Sequence, residues 1–92
     1  MSLEMLVLYY GEGCPHCRLV EDYLEEYGPG ENISLEQKEV FHNQENLAEL
    51  RKKALSAGVP EDFIGVPCLF DGDRCMVGDE EILDFFRQSR KS

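Results

Sequence analysis

The sequence predicts an α/β fold: one four-stranded mixed sheet with helices on both faces. Three observations carry that expectation. An almost wholly apolar run near the N-terminus reads as a strand buried on both sides, and a helical period follows it. A second strand-then-helix pair repeats the pattern. The last third holds two short strands around an Asp-Gly turn, then an amphipathic helix. The order is βαβαββα, in a single domain over residues 1–92.

Met5-Leu6-Val7-Leu8-Tyr9-Tyr10 is the first strand, apolar enough to sit in the middle of the sheet. Met1-Ser2-Leu3 reads as a leader ahead of a native Met5. Gly11-Glu12-Gly13 breaks the strand, and Pro15 sits well in the first turn of a helix, where a missing N–H is harmless. Val20, Tyr23, Leu24 and Tyr27 form the apolar face of that helix, and Glu21, Asp22, Glu25 and Glu26 the wet one. Gly28-Pro29-Gly30 ends it. Ile33 to Phe41 is the second strand, and Asn43 caps a second helix with Leu47, Leu50 and Ala54 on one face, closed by Gly58. Val66-Pro67-Cys68-Leu69-Phe70 is the third strand, Asp71-Gly72-Asp73 a hairpin turn, and Arg74-Cys75-Met76-Val77 the fourth strand. Gly78 breaks it. Asp79, Glu80 and Glu81 open the last helix, at the end where negative charge suits the dipole. Its core face is Ile82, Leu83 and Phe86, with Arg87, Arg90 and Lys91 near its C-terminus. The first βαβ is expected to be a right-handed parallel unit, and the late hairpin to add antiparallel strands.

Hydrophobic residues make up 42% of the chain, ordinary for a globular fold. No apolar run approaches the roughly 20 residues of a membrane span, and no basic segment precedes an apolar stretch, so neither membrane nor signal peptide is expected. Formal net charge is -10, which argues against nucleic acid and anionic membrane surfaces as partners. The four cysteines lie among long periodic segments that can bury a core unaided, which favours cytoplasmic chemistry over a secreted disulfide framework.

Two of those cysteines stand in "GEGCPHCRLVEDYL", residues 11–24. Three uses are open: a zinc clip, a structural disulfide, or a redox couple. The pair falls where a buried strand meets a helix, with Cys14 at the N-cap or just before it and Cys17 one turn inside. Unpaired N–H groups and the dipole at that end stabilise a Cys14 thiolate, making it a nucleophile. Cys17, deeper, suits the resolving role. An imidazolium at His16 would stabilise the thiolate further and make the pair a better oxidant, and its position favours that reading over an exposed histidine without effect. His42 reads as a plain loop or cap residue. Zinc would need Cys68 and Cys75 to converge on the first pair, but proline opens a long helix here where a zinc knuckle holds a tight turn. Cys68 and Cys75 either face each other across the hairpin or are small core residues. A Cys14–Cys17 bridge as a structural staple closes too short a loop for much entropic gain. Val66-Pro67 supports the redox use. A cis bond there would present the Val66 backbone to an extended thiol substrate, by main-chain pairing as in strand addition.

"CPHC" at 14–17, "GVP" at 65–67 and "FDGDRCMVGDEEIL" at 70–83 together resemble the glutaredoxins, within the thioredoxin superfamily, over nearly the whole chain. The resemblance implies a thioredoxin-like fold and a thiol–disulfide oxidoreductase. Such an enzyme reduces protein or glutathione mixed disulfides with glutathione as co-substrate, or with a reductase as electron donor. It makes Cys14 the nucleophile, Cys17 the resolving thiol and Pro67 the cis-proline. Val66 would pair with the glutathione cysteine backbone, and Gly78, Asp79 and Glu80 would hold its γ-glutamyl end. Catalysis would then rest on Cys14, His16, Cys17 and Pro67, and binding on Pro15, Val66, Pro67, Gly78, Asp79 and Glu80. No metal is expected, and the protein is expected to be a cytoplasmic monomer acting on disulfide-containing or glutathionylated proteins. The alternative within the resemblance is an iron–sulfur scaffold ligated by Cys14 and glutathione, which Pro15 disfavours.

The chain departs from the family pattern at several positions. His16 replaces the usual tyrosine, making the motif like the more oxidising DsbA-type site, although this chain is too short for that family's inserted domain. Gly11 stands where the family has a basic residue that contacts the glycine carboxylate of glutathione. Gly65 replaces a threonine, Val77 a glycine, and the polar residues after Gly78 are acidic. Each change counts against an anionic ligand. Arg18 and the Arg51-Lys52-Lys53 cluster are the cations that would compensate.

Overall fold

The structure is a computed structural model in which residues 4–91 are described, with side chains through Ser89. Met1-Ser2-Leu3 lies outside the described residues, as do the side chains of Arg90 and Lys91. Strand β1 (Glu4–Tyr10) is followed by helix α1 (Pro15–Tyr27), β2 (Ile33–Glu39) and α2 (Gln44–Ser56). After a single 3-10 turn at Glu61–Phe63 come β3 (Cys68–Phe70), β4 (Cys75–Val77) and α3 (Asp79–Lys91). The four strands form one mixed sheet in the order β2-β1-β3-β4. β1 runs parallel to β2, and β3 is antiparallel to both β1 and β4.

The period of two along β1 divides the core. Leu6 and Leu8 face α1 and α3, where they pack with Val20, Leu69, Met76, Ile82 and Phe86. The ring of Tyr23 stacks on Phe86, centroids 6.2 Å apart, and joins the two helices. Val7 and Tyr9 face the other way, toward α2, with Val40, Leu50 and Cys68. Both faces of β1 are thus covered, which its unbroken apolar run requires. β2 is an edge strand with only Ile33 and Leu35 apolar, and its outer positions carry charge, which discourages pairing with another chain. Among the described residues no helix is long and apolar enough to cross a membrane.

The helices begin and end where their signals lie. Asn43 Oδ1 accepts the Asn46 backbone N–H at 3.0 Å and caps α2. Gly28 adopts φ 73° after α1 and returns its N–H to Leu24 C=O at 2.8 Å, a conformation that glycine reaches without a Cβ penalty.

Four strand ends differ from expectation. β1 starts at Glu4, one residue before Met5, paired with Ile33 of β2. β2 stops at Glu39, not Phe41. Val40 still donates its N–H to Tyr10 C=O at 2.9 Å and is buried, but Phe41 turns outward. β3 starts at Cys68 rather than Val66, because Pro67 has no N–H to give the ladder. β4 starts at Cys75 rather than Arg74, because Arg74 closes the hairpin turn. Its C=O accepts the Asp71 N–H, and its own N–H donates to Asp71 Oδ1.

Candidate active site

The loop from β1 to α1 is short and glycine-rich. Cys14 N–H donates to Gly11 C=O at 3.1 Å, closing a tight turn that delivers the next residues into a helix. Cys14 is the N-cap of α1 and Pro15 takes the first helical position. The side chain of Cys14 acts as the cap: its Sγ accepts the backbone N–H of Cys17 at 3.3 Å. Cys14 is half-buried, beside an open cleft of about 580 Å³ lined by Tyr10, Glu12, Gly13, Pro15, Arg18 and Glu21.

Cys17 occupies the opposite environment. It is completely buried, facing the core one turn into α1. Burial pushes its thiol up to about 12, reinforced by its hydrogen bond with the Cys14 side chain, although the Gly11 N–H that it accepts at 3.4 Å works the other way. Two cysteines three residues apart therefore differ in environment: one half-buried at the helix cap, one held as a buried thiol. Both are reduced in the structure.

A chain of polar contacts joins the other expected residues to this loop. His16 is exposed, and its Nδ1 lies 2.9 Å from Asp79 Oδ1 at the start of α3. The carboxylate can only accept, so Nδ1 carries the hydrogen. Gly78, just before Asp79, donates its N–H to Pro67 C=O at 2.9 Å. The Val66–Pro67 peptide bond is cis, and Pro67 is buried. Since Tyr9 pairs with Cys68 across the sheet, Pro67 lies at the same end of the sheet as the loop after β1. His16, Asp79, Gly78 and Pro67 thus form one connected set with the cysteine loop. Glu80 is exposed in the first turn of α3 and takes no part in it. The contact between His16 and Asp79 differs from the separate roles expected of them: the Asp79 carboxylate already has a partner within the chain.

The missing side chain at Gly11 has a structural cause. A Cβ there would lie 2.3 Å from Phe41 Cε2 and Cζ, so the Phe41 ring occupies the space that a basic residue would need. Glu39 holds this arrangement. Its Oε2 accepts the N–H groups of Glu12 and Phe41, each at 2.9 Å, and its Oε1 that of His42 at 2.7 Å. One carboxylate thereby ties the loop before Cys14 to the loop before α2. Burial alone would raise the Glu39 carboxyl, but the three backbone donors prevail and hold it below the usual range. His42 has a further contact, 3.8 Å from Glu12 Oε2.

The cations proposed to compensate for Gly11 divide. Arg18 lines the cleft beside Cys14 and lies 3.7 Å from Asp22. Arg51 pairs with Glu61. Lys52 and Lys53 line a hollow with Gly72 and Asp73, by the hairpin turn at the other end of β3 from Pro67. They are not at the cysteine loop.

Cys68 and Cys75 do not stand opposite one another. Cys68 is paired with Val77, and Cys75 with Phe70, so the two thiols are diagonal neighbours on the α2 face. The Cys68 thiol, fully buried, is hydrogen-bonded to the Cys75 sulfur, and burial pushes both thiols up. Among the described residues no group of three His, Cys, Asp or Glu side chains is arranged to hold a metal ion. A second network lies behind Cys68: the buried Tyr9 hydroxyl donates to Glu49 Oε2 at 2.6 Å, and Lys38 Nζ donates to both Glu49 oxygens at 2.7 and 2.9 Å.

Sequence reading missed Phe41, Glu39 and the Tyr9–Glu49–Lys38 network. The available signals were faint: an apolar residue after a strand whose alternation had already slipped, and a glycine where a longer side chain was expected. No protein-family model matches the chain, and no curated protein matches it.

Proposed function

We propose that the protein is a thiol–disulfide oxidoreductase of glutaredoxin type, with Cys14 as nucleophile and Cys17 as resolving thiol. The observation that carries this reading is the asymmetry of the pair: Cys14 Sγ caps α1 by accepting the Cys17 N–H, while Cys17 is a buried thiol pushed up to about 12. The sheet order β2-β1-β3-β4, with α1 and α3 on one face and α2 on the other, is compatible with a thioredoxin-like fold.

In the reaction, the Cys14 thiolate attacks one sulfur of a substrate disulfide. A bond forms from Cys14 to that sulfur, the substrate S–S bond breaks, and the other substrate sulfur leaves as thiolate. Cys17 then loses its proton to water or to the departing thiolate and attacks Cys14 Sγ. The mixed disulfide breaks, the second substrate thiolate leaves, and Cys14–Cys17 is oxidised. The substrate has gained two electrons and the protein has lost two. Two equivalents of a small thiol such as glutathione, or a reductase, return them. Pro15 lines the cleft beside Cys14, Val66 and Pro67 lie at the same end of the sheet, Gly78 N–H donates to Pro67 C=O, and the Asp79 carboxylate holds the His16 ring. The chemistry suits a reducing compartment such as the cytoplasm.

The test is turnover of hydroxyethyl disulfide or insulin by the wild-type protein and by Cys14→Ser. Loss of turnover in the variant is expected; undiminished turnover would refute the assignment. Cys17→Ser should accumulate a mixed disulfide on Cys14.

A further inference from the structure

A groove of about 360 Å³ lies beside the candidate site, lined by Val40, Phe41, Leu47, Leu50, Ile64 and Val66, with Gly65 as part of its wall. No cation lines it. Two features place it near the cysteine loop: Val66 lines the groove and precedes the cis bond to Pro67 at that end of the sheet, and Phe41 rests on Gly11, three residues before Cys14. Phe41 and Leu47 are 57% and 40% exposed, so the groove keeps large apolar side chains in water. Phe41 is not loose there, because Glu39 grips the backbone N–H groups of Phe41 and His42. Acidic residues flank the groove along the chain: Glu39 before Phe41, Glu45 before Leu47, and Glu61 and Asp62 before Ile64. Arg51, which follows Leu50 in the chain, pairs with Glu61.

We propose that this groove receives an apolar side chain next to the reacting cysteine of an extended polypeptide substrate. The inference rests on the oxidoreductase reading and names its substrate class: protein disulfides whose cysteine is flanked by a large apolar residue, with neutral or basic residues beyond. The occupant follows from the lining and the charge. An apolar pocket that includes Val66 and the Phe41 ring over Gly11 rewards a leucine or phenylalanine close to the exchanging cysteine. A small anionic thiol such as glutathione finds an apolar lining with the Phe41 ring over Gly11 and no cation among the described lining residues, on a chain of net charge -10. Acidic neighbours favour lysine or arginine on the bound segment, as complementary charge does at other interfaces.

The experiment uses the reduced full chain in single turnover. Two peptides of equal length are presented as mixed disulfides with nitrothiobenzoate. One carries Leu beside its cysteine and Lys beyond, the other Gly and Glu. The glutathione mixed disulfide and hydroxyethyl disulfide are run alongside. Attack of Cys14 on the peptide sulfur breaks the S–S bond and releases nitrothiobenzoate anion, which is read by colour. The leucine peptide is expected to react about tenfold faster than the glycine peptide or the glutathione derivative, as one well-filled apolar pocket allows. Leu47→Ser should bring that ratio toward one, and Leu47→Lys should move the preference toward the anionic probes. Equal rates for the peptides, a faster glutathione derivative, or a ratio unmoved by both variants would overturn the inference while leaving the oxidoreductase reading intact. A dimer in sedimentation that Leu47→Ser dissociates would overturn it in favour of a second copy of the chain. Failure of every probe, hydroxyethyl disulfide included, would overturn both.

Discussion

Gly11→Ala tests the packing that distinguishes this site. The added Cβ would fall 2.3 Å from the Phe41 ring, so the ring must leave its place. Phe41 is 57% exposed, so somewhat under half of its surface is packed. For a side chain of about 200 Å² the packed part is about 85 Å², worth about 2 kcal/mol at ~25 cal/mol per Å². Replacing glycine by alanine in this loop recovers about 0.5 kcal/mol by restricting the unfolded chain. The net loss is at most about 1.5 kcal/mol, since the ring is the far end of an exposed side chain and keeps part of its packing as it swings aside; that limit corresponds to a fall in Tm of roughly 10 °C for a domain of this size. The assay is urea denaturation of wild type, Gly11→Ala, Phe41→Ala and the double variant. With Phe41 removed the clash disappears, and Gly11→Ala should become neutral or slightly stabilising. Equal destabilisation by Gly11→Ala with and without Phe41 would refute the reasoning, because the ring would then not be what excludes a side chain at position 11.

Three further outcomes follow from the electrostatics. Tyr9→Phe removes a hydroxyl that donates to the Glu49 carboxylate and should lower stability at neutral pH by about 1–2 kcal/mol in urea denaturation. Glu49 is held below the usual carboxylate range, first by Lys38 and then by Tyr9, so its contribution is present above the ordinary carboxyl pKa and lost as pH falls through its lowered value. The Tyr9→Phe deficit should accordingly shrink in acid. Because burial pushes the Cys17 thiol up to about 12, resolution of a mixed disulfide on Cys14 should accelerate about tenfold per pH unit from neutral toward that value, measured by rapid mixing. His16→Ala frees Asp79 and takes the imidazole from the loop. The Cys14–Cys17 couple, titrated against glutathione, should become more reducing by some tens of millivolts, where about 30 mV corresponds to a tenfold equilibrium change.

Local signals made much of this legible in advance. A proline one residue after Cys14 marked the start of α1 and so placed one sulfur at the cap and the other a turn deeper. The apolar run of β1 fixed it in the middle of the sheet, and Asp71-Gly72-Asp73 fixed the hairpin. What stayed hidden depends on residues far apart in the chain. Phe41 reads as the end of a strand until Gly11, thirty positions earlier, is seen beneath its ring. Glu39 looks like an ordinary strand carboxylate, yet it gathers N–H groups from two loops. Asp79 looks like a helix-start acid suited to an incoming ligand, and only the approach of α1 to α3 reveals His16 as its partner. Val66 and Pro67 resembled strand residues by composition, but a proline without an N–H cannot join the ladder. Cys68 and Cys75 showed their spacing in the sequence, whereas the register that sets them diagonally is a property of the turn.

The proposed function requires Cys14 to be the reactive sulfur and the other three cysteines to be protected by the fold. It is tested most directly by treating the reduced native protein at neutral pH with less than one equivalent of iodoacetamide and mapping the adduct by peptide mass spectrometry. Modification concentrated on Cys14 is predicted, because Cys17 and Cys68 are buried and the Cys75 thiol is pushed up. Modification shared evenly with Cys75, or favouring it, would contradict the account.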